Sequence, residues 1–182
     1  MGSQVCPWWA GYFIDNPLRR MLHNPDAILG RYVRPGMTVM DLGCGMGFFS
    51  IAMARMVGDR GSVIAVDVQQ RMLDVLQKRA KKSGVASRIR PHRAQSDCLR
   101  IDTPADFALA FAVVHEVSDT ERFLAQVCSC LKPEARFLVA EPRLHVSAEA
   151  FQRMLALARA VGLVVLEQAP VRLSRAVVLG RQ

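Results

Sequence analysis

Long uncharged runs are missing from this 182-residue sequence, and so is any ordered pattern of cysteines. Charge-free stretches such as Val5 to Ile14 and Phe107 to His115 fall well short of the ~20 residues that a membrane-spanning helix needs. The N-terminus lacks the basic, apolar and small-residue succession of a secretory signal. Cys6 stands where a myristoylation signal wants Ser or Thr. The expected location is therefore the cytoplasm. The five cysteines, Cys6, Cys44, Cys98, Cys128 and Cys130, are odd in number and widely spread, which argues for reduced thiols over a disulfide frame. Cys128 and Cys130 fall two apart on an expected helix, so their side chains face different ways, and no metal site is expected. Internal repeats and low-complexity segments are absent as well.

What the sequence does have is the composition of an ordinary globular protein, 51% hydrophobic and 22% charged. The length suits one domain, expected over residues 25–182, with residues 1–24 as an aromatic preface. The formal net charge of +8 fits either an anionic partner, nucleic acid included, or a solvated basic face. The basic residues are scattered; only 79–82 and 88–93 cluster, around one expected helix end, where cations are favoured anyway.

From residue 37 onward strand-like and helix-like segments alternate, the pattern of a mainly parallel sheet with helices on both faces. Strands are expected at Thr38–Leu42, Ser62–Val66, Ile89–Ala94, Ala105–Val114 and Arg136–Ala140. Helices are expected at Gly47–Val57, Gln69–Lys82, Ser118–Leu131 and Ser147–Val161. Ser118 with Glu121 three residues on forms a capping box, and Pro133 is a stop. Leu163–Leu166 and Arg175–Leu179 lie too close together for a crossover helix, so they should form an antiparallel hairpin.

The informative stretch is Asp41-Leu42-Gly43-Cys44-Gly45-Met46-Gly47-Phe48, an apolar strand running through a glycine loop into a helix. Glycines allow positive φ and close approach of a ligand to the main chain, and the helix N-terminus offers free N–H groups to a carboxylate or phosphate. A dinucleotide fingerprint would need glycine or alanine where Phe48 stands, and the Gly-Lys-Ser/Thr of a phosphate loop is absent.

The pattern D-x-G-x-G-x-G resembles that of class I S-adenosylmethionine-dependent methyltransferases, in a type-11-like small-molecule branch, and the resemblance covers residues 25–181. It implies an α/β three-layer sandwich, with a seven-stranded mainly parallel sheet whose last strand is antiparallel. It implies S-adenosyl-L-methionine as cofactor and S-adenosyl-L-homocysteine as product, lying across the C-terminal ends of the first strands. Gly43, Cys44, Gly45 and Gly47 would wrap the methionine part. Asp41 either touches the cofactor or organises the loop. Asp67, closing Val63-Ile64-Ala65-Val66, would bind the ribose hydroxyls, with Val68 beside it. Met72 either covers the adenine or fills the core. Ser96, Asp97 and Cys98 follow the third strand, with Asp97 near the adenine amino group, and Phe111 ends the fourth strand. Leu131-Lys132-Pro133-Glu134-Ala135 matches the family's leucine-lysine-proline-glycine-glycine turn except that both glycines are replaced.

His115 and Glu116, after the fourth strand, lie where methyl donor and acceptor meet in such enzymes. His115 is either a general base, for which its unperturbed pKa of ~6.5 is suited, or a pocket wall. Glu116 would orient the imidazole or bind a cationic acceptor. Trp8, Trp9 and Tyr12 either close over the acceptor, staple the preface to the core, or touch a membrane surface. A small-molecule acceptor is expected. RNA or protein methylation and a silent cofactor-binding partner protein are the alternatives, and no base-methylation motif follows the fourth strand. The sequence leaves oligomeric state open.

Overall fold

The computed structural model describes residues 22–95 and 98–182. In chain order its elements are α1 (Pro25–Leu29), β1 (Thr38–Leu42), α2 (Phe48–Val57), β2 (Ser62–Asp67), α3 (Gln70–Lys82), β3 (Ile89–Arg93), β4 (Ala105–Phe111), α4 (Thr120–Cys130), β5 (Leu131–Pro142), α5 (Ala148–Ala160), β6 (Leu163–Gln168) and β7 (Ser174–Arg181). Seven strands form one sheet in the order β3-β2-β1-β4-β5-β7-β6. Contacts divide the chain into two compact units, one running up to Arg93 and the other from Ala94 to Gln182.

In the first unit β1, β2 and β3 run parallel, with Asp41 beside Ala65 and Asp67 beside Arg93. Val39, Met40, Val63 and Ala65 are fully buried. Such nearly continuous burial is what a parallel sheet covered on both faces demands. α2 packs on β1 and β2 and is buried almost all round, through Phe49, Ile51, Ala52, Met53 and Ala54. α3 is amphipathic: Met72, Leu73, Leu76 and Ala80 are buried, while Arg79, Lys81 and Lys82 in its last turn complement the helix dipole. The short α1 is started by Asn24, whose side chain accepts from the Asp26 amide at 3.0 Å, with Pro25 in the first helical position.

In the second unit β4 and β5 run parallel, and β7 is antiparallel to both β5 and β6. The terminal hairpin expected from the sequence is present. Its second strand is inserted between β5 and β6, so β6 holds the sheet edge. Phe107, Leu109, Phe137, Leu138, Val177 and Leu179 are fully buried across these strands. Truncating a buried phenylalanine such as Phe137 to alanine costs about 3–5 kcal/mol.

Around β4, α4 and β5 the boundaries differ from the sequence expectation for identifiable reasons. α4 is capped by Asp119, which accepts from the Arg122 amide at 2.9 Å, and not by Ser118. A carboxylate at that position adds its charge to the helix dipole. α4 ends at Cys130, and Leu131 already begins β5, so Pro133 is not the stop. A register shift between Ala105 and Phe107 lets residues 132–135 pass without regular pairing. β4 ends at Phe111 because Ala112 adopts φ 57°, a left-handed conformation that no strand continues through.

Candidate cofactor and acceptor sites

The glycine loop is built by backbone geometry. Gly43, Gly45 and Gly47 all have positive φ, 70°, 52° and 84°, which a residue with a Cβ adopts only with strain. A Cβ on Gly47 would lie 2.6 Å from Cδ1 of Leu76, so glycine there also lets α3 approach. A Cβ on Gly45 would meet nothing within 4 Å, so Gly45 borders open space. Gly47 caps α2 without any side-chain hydrogen bond, which leaves the helix N-terminus to a ligand. Arg79 Nη1 donates to Met46 O at 3.1 Å and pins the loop from α3.

Asp67 stands opposite the loop. Its Oδ2 accepts from the Gly45 amide and its Oδ1 from the Gln69 amide, each at 2.9 Å. Burial raises its pKa, against the lowering effect of hydrogen bonds from Gln69, Gly45 and Val68. Each carboxylate oxygen keeps acceptor capacity for a further donor, and the residue is only half-buried. Asp41 is different: it is 2% exposed, and its Oδ2 accepts from Ser50 Oγ at 2.5 Å. That bond joins β1 to α2 beneath the loop. Cys44 is buried, and burial first, then the charges of Asp41 and Asp67, push its thiol well above the ordinary range. Met72 is 6% exposed, and Val68 is half-buried.

In the second unit Gln95 and Cys98 exchange backbone hydrogen bonds of 3.0 and 3.2 Å. Cys98 lines a small open pocket with Leu99, Val117, Phe123 and Gln126. Ser96, Asp97, Trp8, Trp9 and Tyr12 lie outside the described residues.

At the C-terminal ends of β4 and β5 a buried acid organises the chain. Glu141 is 2% exposed. Its Oε1 accepts from the amides of Val113 and Val114, at 3.2 and 2.9 Å, and its Oε2 accepts from His115 Nδ1. The positive φ of Ala112 turns the backbone so that these amides face β5, and half-buried Phe111 ends the strand just before it. A carboxylate only accepts, so Nδ1 carries the imidazole proton and Nε2 is left for chemistry. The hydrogen bond to Glu141 raises the pKa of His115 above its ordinary value; burial opposes it, and the charges of Glu141 and Glu116 assist. The side chain of His115 is 25% exposed, and its ring lies 5.7 Å, edge-on, from that of His145.

The hydrogen-bond partner of the imidazole is thus Glu141, while the adjacent Glu116 acts on it through its charge. Sequence reading missed Glu141. Its signal was an acid ending the apolar run Phe137-Leu138-Val139-Ala140 and followed by Pro142, the strand-end position that singled out Asp41 and Asp67. Ser50 and Arg79, which brace the glycine loop, carried no signal beyond helical spacing.

A seven-stranded sheet with β7 inserted antiparallel, a glycine loop after β1 and an acid closing β2 defines the class I S-adenosylmethionine-dependent methyltransferases. Residues 34–170 match the Methyltransferase domain family, and the chain belongs to that family. It is 32% identical over 111 residues to the ubiquinone/menaquinone biosynthesis C-methyltransferase UbiE of Vibrio campbellii, a match covering 59% of this chain and 42% of that protein. The UbiE protein of Francisella tularensis subsp. novicida is 34% identical over 110 residues, or 60% of this chain and 44% of its own. The chain therefore spans less than half the length of these curated relatives. Among solved structures, an S-adenosylmethionine-dependent methyltransferase from Aquifex aeolicus superposes with TM-score 0.86 at 24% identity, over 98% of this chain and 100% of its own. That likeness is one of fold. The open space at Gly45, the uncapped start of α2 and the remaining acceptor capacity of Asp67 fit S-adenosylmethionine, the cofactor of this class.

Proposed function

We propose that this chain methylates a small-molecule acceptor, with His115 as the base and Glu141 as the residue that positions it. The observation carrying this reading is the buried Glu141 carboxylate, which accepts from two backbone amides and from His115 Nδ1. A buried carboxylate committed to one face of an imidazole fixes its tautomer and strengthens it as a base at the other nitrogen.

When bound, S-adenosylmethionine supplies an electrophilic methyl group on a sulfonium sulfur. The uncapped amides of α2 and the backbone at Gly43, Cys44, Gly45 and Gly47 would take its carboxylate end, and Asp67 would accept from the ribose hydroxyls. Val68 and Met72 would lie on the adenosine side of Asp67, and the family resemblance adds Ser96, Asp97, Cys98 and Phe111 as adenosine contacts. Asp41 acts through Ser50, keeping the loop in shape. His115 Nε2 takes the proton of the acceptor, and Nδ1 stays with Glu141. Trp8, Trp9 and Tyr12 would wall the acceptor. The small-molecule reading draws support from relatives named as C-methyltransferases of ubiquinone/menaquinone biosynthesis, so carbon acceptors are to be tried beside phenols and thiols.

The test is calorimetric titration with S-adenosylmethionine and S-adenosylhomocysteine, followed by labelled-methyl transfer to phenol, thiol and carbon-acceptor panels. Micromolar binding, transfer to one class, and a kcat lowered about 100-fold or more by His115→Gln at unchanged cofactor affinity would support the reading. Transfer unaffected by His115→Gln would leave the histidine as a wall. The RNA or protein reading has only the charge of +8 in its support, and a steep fall of acceptor affinity with salt would bring the RNA reading forward.

A further inference from the structure

Two leucines stand in water on adjoining loops of the second unit. Leu144 is 95% exposed and Leu173 63% exposed. Leu144 follows β5 and Leu173 precedes β7, and the register pairs Pro142 with Ser174 between them. The Arg143 amide donates to Leu173 O at 3.0 Å, and Arg143 Nε donates to Ser174 O at 3.1 Å. Single exposed leucines are ordinary; these two are tied together. Leu173 also has φ 58°, a conformation unfavourable for a residue with a Cβ, although its side chain adds nothing to the core.

The surroundings are basic. Arg143 and Arg172 are exposed, and Arg175 is half-buried. Of the nearby acids, Glu141 is buried against His115, and Glu149 stands exposed in the first turn of α5, within the influence of Arg175 and Arg153. Apolar tips within a collar of arginines match the interfacial zone of an anionic bilayer, where leucine enters the acyl boundary and guanidinium meets phosphate.

We propose that Leu144 and Leu173, with Arg143 and Arg172, form a contact surface for anionic phospholipid membranes. This surface is independent of the methyl-transfer reading. It places His145, the neighbour of Leu144, and through it His115, beside the lipid interface.

The test is co-sedimentation of the full chain with vesicles of phosphatidylcholine alone and of phosphatidylcholine with phosphatidylglycerol. The chain should bind the mixed vesicles, bind the neutral ones weakly, and release as salt rises. Leu144→Asp combined with Leu173→Asn should weaken binding about tenfold or more, and Arg172→Glu should weaken it too. The unfolding midpoint should not fall, because asparagine tolerates left-handed φ. Val165→Asp, on the exposed face of edge strand β6, should leave binding unchanged. Equal binding by the double variant, or no binding to either vesicle, would overturn the proposal. So would a concentration-dependent dimer abolished by the double variant without vesicle binding, which would assign the leucines to a second copy of the chain.

Discussion

The Gly45 amide donates to Oδ2 of Asp67 at 2.9 Å, so the acid that closes β2 also braces the loop that follows β1. Binding and architecture therefore share one side chain. Asp67→Asn keeps one carbonyl acceptor; Asp67→Ala keeps none. Both should weaken S-adenosylmethionine at least about tenfold, since hydrogen bonds to a charged partner are each worth ~1.5–3 kcal/mol. The alanine variant should also lose about 1–2 kcal/mol of stability. Because burial raises the folded-state pKa of Asp67, its contribution to stability is present below the unfolded value and fades as pH rises through the folded one. The stability difference between Asp67→Asn and the parent should thus move in the variant's favour from acid to neutral pH, as urea unfolding at several pH values would show.

Gly45 and Gly47 separate a ligand requirement from a folding requirement. Alanine at Gly47 meets both strain and the Leu76 side chain, and it should destabilise the fold by roughly 2–3 kcal/mol. Alanine at Gly45 meets strain alone, about 1–2 kcal/mol, yet intrudes where the cofactor would approach. Thermal unfolding and calorimetric titration should therefore rank the two variants in opposite orders.

Glu141→Gln should lower the pKa of His115, because the hydrogen bond that raises it is the largest influence and burial, which remains, acts the other way. An NMR titration of the imidazole would read the shift. The raised folded-state pKa means the pair stabilises the protein fully below ~6.5, the unfolded histidine value, and loses that contribution as pH rises through the folded value. Parent and glutamine variant should accordingly converge in stability above that window. A merely structural role for Glu141 would leave the pH profile of transfer unmoved. Glu141→Ala strands two backbone amides and should cost about 2–4 kcal/mol.

Cys44 should resist alkylation in the folded protein at pH 8 and react only as the chain opens, because its buried thiol ionises poorly between Asp41 and Asp67. Labelling by iodoacetamide, followed by peptide mass spectrometry across a urea series, would show its modification tracking global unfolding.

β1, β2 and β5 were legible as apolar runs ended by glycine, proline or an acid, and β1 and β2 end within one residue of the expected places. α4 and β5 were misplaced at their junction because Pro133 reads locally as a stop, while pairing with β4 decides where β5 begins. Gly45 and Asp67 were legible as a loop and a strand-end acid. That the one holds the other was not, since 22 residues separate them. Glu141 escaped because its partners, Val113 to His115, lie more than 25 residues away and only the parallel pairing of β4 with β5 brings them together.

The insertion of β7 between β5 and β6 carries a consequence for synthesis on the ribosome. β5 pairs with β7 from Arg136 to Pro142, and β6 reaches the sheet only through β7. Until residues 174–181 leave the exit tunnel, Phe137, Leu138 and Val139 wait beside a bare row of amides and carbonyls, an invitation to pair with a neighbouring nascent chain. The second unit cannot close one strand at a time as it emerges. Its last strand is the one that locks it, and cells short of chaperone capacity should lose this protein to aggregation at that stage.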